Sequence, residues 1–148
     1  MIKDAEYLYT DSAKVVMKVT SPLVERFSNG QKPYTIFPKG MKVVYFSNYP
    51  DTNSHIFANW AIRWMNERVW EAKGNVVVKN TKGEVLNTEY LVWDEAKAII
   101  YSNKLVKIVT GKDVIIGEGF TADQTFEKWK ITKVKGIVSV SNPTTSNQ

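Results

Sequence analysis

The chain has 148 residues, no cysteine, and a formal charge of +5 from 20 Lys+Arg against 15 Asp+Glu. A single domain of this length buries roughly 68–70% of its unfolded surface without metals or disulfides, and the missing cysteines exclude both a disulfide framework and a cysteine zinc site. No run of about 18 apolar residues is present to read as a membrane-spanning helix, and the polar opening Met1-Ile2-Lys3-Asp4-Ala5-Glu6 is not a signal peptide. The chain is therefore cytosolic or starts beyond a removed signal or anchor. The positive charge favours anionic partners such as nucleic acid, acidic lipid or phosphorylated glycolipid. The competing reading is a generally basic solvated surface, because Lys and Glu are interspersed.

In chain order, residues 1–12 show little pattern and read as a lead-in with an edge strand near Tyr7-Leu8-Tyr9. Residues 13–20 alternate, with Val15, Met17 and Val19 on one face and Lys14, Val16 and Lys18 on the other. Pro22 then marks an edge or a bend, not a central ladder position, and Leu23–Phe27 continues as a strand. Short strands follow at Tyr34–Phe37 and Lys42–Ser47. In residues 54–65, Ile56, Ala58, Trp60, Ile62 and Trp64 share a face if the alternation is unbroken.

Residues 70–93 read as two strands joined by the turn Asn80-Thr81-Lys82-Gly83. Further strands are expected at Ala98–Ser102, Leu105–Thr110, Val114–Thr121, Trp129–Val134 and Ile137–Val140, with turns at Asn103-Lys104, Gly111-Lys112-Asp113 and Gln124-Thr125-Phe126-Glu127. Residues 141–148 are expected to form a disordered tail. Turn signals every 8–12 residues and no helical periodicity give an all-β domain over 13–140.

Val78, Ile108 and Val138 recur at 30 residues, as do Val76 and Val106. This spacing suggests strand–turn–strand units over 55–80, 84–110 and 113–140 stacked on one core. Chance spacing among many valines is the alternative.

Little in the sequence supports catalysis. His55 is the only histidine, so a multi-histidine metal site is impossible, and the residue reads as surface or strand edge. Asp94-Glu95 reads as turn capping. Gly117-Glu118-Gly119 lacks the third glycine and the helix of a dinucleotide fingerprint. No enzyme activity, metal or cofactor is expected.

The run Ala72-x-Gly74-Asn75-Val76-Val77-Val78 is followed by Leu86-Asn87-Thr88-Glu89-x-Leu91-x-Trp93-Asp94, then Ile100-Tyr101-Ser102, Val106-x-Ile108 and Ile116-Gly117-x-Gly119-Phe120-x-Ala122-Asp123. In order and spacing these resemble the LptC family of lipopolysaccharide export proteins, related to the LptA/OstA-like β-jelly rolls. The resemblance spans residues 13–140. It implies a twisted open β-jelly roll of stacked antiparallel strands in the periplasm. It also implies lipopolysaccharide, through its lipid A, as the ligand in an apolar groove. The implied partners are inner-membrane ABC transporter subunits and an LptA-like periplasmic protein, engaged through edge strands. It further implies an inner-membrane anchor in the full-length protein, a tether expected to lie outside the stretch that the resemblance covers.

If Lys14, Lys18, Asn75, Lys79, Glu89 and Lys107 point outward, their neighbours Met17, Val19, Trp60, Val76, Val78, Tyr90, Val92, Val106 and Ile108 point inward and line the groove, or are simply core. A one-residue bulge inverts a strand's assignment, above all near Gly117 and Gly119. Two other function classes are a structural or adhesive cell-surface repeat domain and a nucleic-acid-binding β domain. The latter is disfavoured because the aromatics fall on the expected inner face.

Overall fold

Alternating apolar and polar residues interrupted by turn chemistry favour antiparallel strands joined by short reversals. The computed structural model, which describes residues 1–139, has twelve strands in one sheet and no helix among those residues. They are β1 (Ile2–Asp11), β2 (Lys14–Phe27), β3 (Tyr34–Phe37), β4 (Met41–Asn48), β5 (Asp51–Ala58), β6 (Trp60–Trp64), β7 (Val69–Lys79), β8 (Val85–Asp94), β9 (Ile99–Val109), β10 (Asp113–Asp123), β11 (Trp129–Ile131) and β12 (Val134–Ser139). The expected all-β fold is present, with the antiparallel order of a twisted jelly-roll-like sheet. The expected tail, 141–148, lies outside the described residues.

The pairings reduce to a meander of long strands, each folded over near its middle. The first part of β2 pairs with β4 (Met17↔Tyr45, Thr20↔Lys42), and its second part pairs with β3 (Glu25↔Ile36, Phe27↔Tyr34). β7 divides in the same way between β6 (Trp60↔Lys73) and β5 (Phe57↔Val77). β10 divides between β12 (Gly117↔Val134) and β11 (Phe120↔Ile131). Every break falls at one level across the sheet, which forms a crease. On one side of it β4, β5 and β12 join the C-terminal parts of β1, β7 and β9 and the N-terminal parts of β2, β8 and β10. This is the first half-sheet. The second half-sheet contains β3, β6 and β11 with the remaining parts. The two faces meet across an apolar interior, as the Tyr45 and Trp93 rings show at 5.9 Å.

Backbone chemistry explains where the crease falls. Gly74 and Asn75 have φ of +81° and +46°, and the β7–β8 register slips between Lys73 and Val76. Asn59 separates β5 from β6, and its N–H bonds to the Gly74 carbonyl at 2.9 Å. Gly40 separates β3 from β4 with φ +99°. Pro22 lies at the bend of β2, where Ser21 and Leu23 pair with β1 and Pro22 does not, as its chemistry suggests.

Three sequence expectations change. The edge strand expected near Tyr7-Leu8-Tyr9 is present, but it is longer than that: β1 pairs with β2 from Ile2 to Asp11, so residues 1–12 belong to the sheet. Asn103-Lys104 is not a turn: β9 runs through it as the crease. The 30-residue spacing holds for two units only. Val78, Leu86 and Ile108 are directly paired neighbours on the inner face, but Ile108 aligns with Ile115 and thus with Ile137. Val138 therefore faces the other way, and it is 60% exposed.

A Cβ at Gly40 would lie 2.8 Å from the Ala58 carbonyl oxygen, on a backbone that L residues rarely adopt. Gly40→Ala is expected to destabilise the fold by about 1–3 kcal/mol. Urea unfolding checks this as a lower midpoint with an unchanged m-value.

Candidate functional site

Six of the nine expected lining residues line the interior. Met17, Val19, Val76, Val78, Val106 and Ile108 are all buried in the one core cluster, and all belong to the first half-sheet. The opposite wall comes from Val24, Phe37, Ala61, Trp70, Ala72, Leu91, Trp93, Ile100, Phe120 and Ala122. Phe37, Trp70 and Trp93 stack in a row, with centroids 5.2 and 5.0 Å apart.

Trp60, Tyr90 and Val92 do not line the interior. Trp60 pairs with Lys73, Lys73 with Tyr90, and Glu71 with Val92. Directly paired residues share a face, and this face is opposite that of Trp70 and Trp93. The shift between Thr88 and Val92 in β8 and the break at Asn59 each reset the alternation, while β7 keeps it through Gly74-Asn75. Consequently Ile56 and Ala58 face inward in β5, but Ala61 and Arg63 are the inward residues of β6. Trp60, Ile62 and Trp64 face outward. Val92 is buried on the outer face, between Glu71 and Tyr101.

This outer face is aromatic. Phe27 stacks on Tyr34 at 5.0 Å, and Tyr34 lies 5.5 Å from Trp64. Glu71 accepts from Trp64 Nε1 at 2.7 Å and from Tyr90 Oη at 2.8 Å. The Trp64 hydrogen bond is the largest cause holding the Glu71 carboxyl below its ordinary range, and the Tyr90 bond and Lys73 also lower it against burial. Burial, and then the same pairing, push the Tyr90 hydroxyl up to about 12.

The interior is filled by its own side chains. Val19, Val76, Val78, Leu86, Leu91, Ile100, Val106 and Ile108 have at most 1% exposure. Opposite the crease, the outer turns of the two half-sheets form a mouth. At its C-terminal end, Phe126 folds in and is fully buried. The expected Gln124–Glu127 turn does form, with Phe126 N–H bonded to the Asp123 carbonyl at 2.9 Å. Across the mouth, Asn80 Nδ2 donates to the Phe126 carbonyl at 2.6 Å, and Trp129 Nε1 donates to Glu84 Oε1 at 2.9 Å. These bonds clasp the β7–β8 turn to the β10–β11 loop.

The N-terminal end of the mouth is polar. Glu95 accepts from Arg63 Nε at 2.7 Å, Arg63 Nη2 at 3.1 Å and Trp70 Nε1. Arg68 Nε lies 3.6 Å from the same carboxylate. Burial pushes the Glu95 carboxyl up, but the hydrogen bonds from Arg63 and Trp70 and the charges of Arg63 and Arg68 outweigh it and leave the carboxyl below its ordinary range. Sequence reasoning assigned Asp94-Glu95 to turn capping. Asp94 does this, accepting from Lys97 N–H at 3.1 Å, while Glu95 turns inward to hold Arg63. No local pattern signals a contact with a residue 32 positions away.

His55 lies half-buried on the outer face of β5, its ring 6.5 Å from Phe57. Burial first, then Lys42 and Lys79, hold its imidazole below the usual range. Among the described residues no group of three metal-ligating side chains comes together, and no helix is long and apolar enough to cross a membrane. No family model matches the chain, and no curated protein matches it.

A carboxylate held below its unfolded value stabilises the fold above that value, and the contribution is lost as pH falls through the folded value. Stability supplied by Glu95 is therefore present at neutral pH and lost on acidification below about 4. Glu95→Gln leaves Arg63 without its partner and is expected to cost about 2–4 kcal/mol at pH 7. It should also flatten the loss of stability between pH 5 and pH 2, so urea unfolding of both proteins at neutral and acid pH checks sign and size.

Proposed function

We propose that this chain carries the acyl part of an envelope lipopolysaccharide between its two half-sheets. It receives the lipid from an inner-membrane ABC transporter and passes it to an LptA-like periplasmic protein across a sheet edge. The observation that carries this reading is a folded sheet that does not close: two apolar walls face each other, and the outer strands β1 and β12 each have a neighbour on one side only. Both edges carry exposed apolar side chains, Ile2 and Leu8 at one and Val134, Ile137 and Val138 at the other. Such an edge accepts a further strand by backbone pairing.

Loading requires the mouth to part, because the interior is filled. At about 0.8 kcal/mol per buried CH₂, an acyl chain of a dozen carbons gains roughly 10 kcal/mol before ordering costs. That is large beside the net value of a few hydrogen bonds across the clasp, each about 0.5–1.5 kcal/mol. Acyl chains then take the place of contacts between the Val76/Val78 row and the opposite wall.

A second reading, a structural or adhesive surface domain, draws on the outward ladder of Phe27, Tyr34 and Trp64. The same outward aromatics remove the earlier objection to nucleic acid. Glu25, Glu71, Asp94 and Asp123 share that face with Lys73 and Lys130, so it carries no basic stripe to pair with phosphates.

Photo-crosslinking groups at Val78 and Ile108 are expected to capture lipopolysaccharide, with exposed Lys79 and Lys107 as controls. Capture at the control positions alone would sink the interior assignment.

A further inference from the structure

At the N-terminal end of the mouth, Tyr7, Tyr9, Arg26, Thr35, Arg63 and Met65 surround a cavity of about 40 Å³. Several of the donors facing it lack good acceptors. Thr35 Oγ1 and Arg63 Nη1 both donate to the Met65 sulfur, at 3.3 and 3.4 Å, and a thioether is a weak acceptor. The Tyr7 hydroxyl is buried with no partner in the protein. Tyr45, 6% exposed and next to Met17 in the same row as Tyr9, also has an unpartnered buried hydroxyl. Arg26 lies over the Tyr7 ring at 5.7 Å and makes no ion pair among the described residues. The nearby carboxylate of Glu95 is already engaged by Arg63 Nε and Nη2, Trp70 and Arg68.

Buried donors are rarely left unpaired, and each costs free energy when it is. An Arg26 with no ion-pair partner, the Arg63 Nη1 and Thr35 Oγ1 donors held only by a thioether, and the unpartnered Tyr7 hydroxyl suit a ligand that offers only acceptors and negative charge. We propose that this pocket binds an oxyanion of the phosphate type, with Arg26 and Arg63 as its charged donors and Tyr7 and Thr35 as its neutral ones. Met65 supplies the room: its flexible side chain adopts another rotamer, and both donors that now face its sulfur turn to the anion. The site goes beyond the lipid-carrying reading and stands without it, since a free oxyanion and the phosphate of an amphiphile present the same oxygens.

The test is titration of the isotope-labelled full chain with inorganic phosphate, followed by NMR at the Arg63 Nε–H and Trp70 indole N–H signals. Saturable shifts are expected, with the dissociation constant raised about tenfold by either Tyr7→Phe or Arg26→Gln. In phosphate-free buffer Tyr7→Phe should leave the thermal midpoint unchanged or raise it, because it removes an unpartnered buried hydroxyl. A purely structural hydroxyl would lower it. Absence of saturation, or shifts that both variants leave intact, would overturn the site and leave water as the acceptor. Dodecyl phosphate binding more tightly than inorganic phosphate, with dodecyl maltoside inert at Arg63, assigns the oxyanion to a lipid headgroup. Equal binding by the two phosphates assigns it to a free anion. Phosphate binding without lipid crosslinking at Val78 would keep this site and remove the lipid-carrying reading.

Discussion

The crease determines which side chains meet inside this protein. A continuous antiparallel meander of this width has one apolar face that it must bury, and the chain buries it by folding the sheet on itself. The fold needs backbone that departs from regular strand geometry at one level in successive strands. Gly40, Asn59, the Gly74-Asn75 pair and Gly119 provide it. Because side chains alternate with period two, each departure also decides which residues of the second half-sheet reach the interior. On β7 the alternation runs through Gly74-Asn75 unbroken, from Val76 and Val78 to Ala72 and Trp70, whereas Trp93 reaches the interior because β8 shifts between Thr88 and Val92: without that shift, Tyr90 and Val92 would face the core.

The two ends of the interior differ in character. Toward β10 and β11 the walls are Leu91, Ile100, Phe120 and Ala122, and Phe126 closes the end. Toward β1 and β3 they give way to tyrosines, Thr35 and arginines, tied by the half-buried Arg63–Glu95 pair. An ion pair of this kind adds little net stability over apolar packing but is costly to break, so it fixes the arrangement of this end more than it strengthens it. An apolar tail with a charged head would match this gradient in one orientation only.

The sequence was legible where alternation runs unbroken and misleading beyond the crease. Met17, Val19, Val76, Val78, Val106 and Ile108 all sit before or after the bend with their parity intact, and they are core residues. Trp60, Tyr90 and Val92 lie past a change of parity, at Asn59 and between Thr88 and Val92, and they face outward. Asn59 is visible in the sequence but reads like a turn residue, and the shift in β8 between Thr88 and Val92 has no glycine or asparagine to mark it. Asn103-Lys104 likewise read as a turn while the strand runs on. The edge strand at Tyr7–Tyr9 is legible, but its length is not, because its inward residues are Ala5 and Tyr7, and Ile2 and Leu8 are exposed on an edge. The Asn80–Phe126 clasp and the Arg63–Glu95 pair join residues 46 and 32 positions apart, a distance at which local pattern carries no information.

A folded sheet serves as a carrier only if its mouth opens for its cargo. Tyr49 in the β4–β5 turn and Lys97 in the β8–β9 turn are exposed, on opposite rims beyond the Tyr45–Trp93 contact. Spin labels at these two positions report the width of the mouth by dipolar electron paramagnetic resonance. A single short distance without lipid and a longer one with lipopolysaccharide is the expected result. A distance distribution that lipopolysaccharide leaves unchanged would contradict an interior that opens to take up lipid.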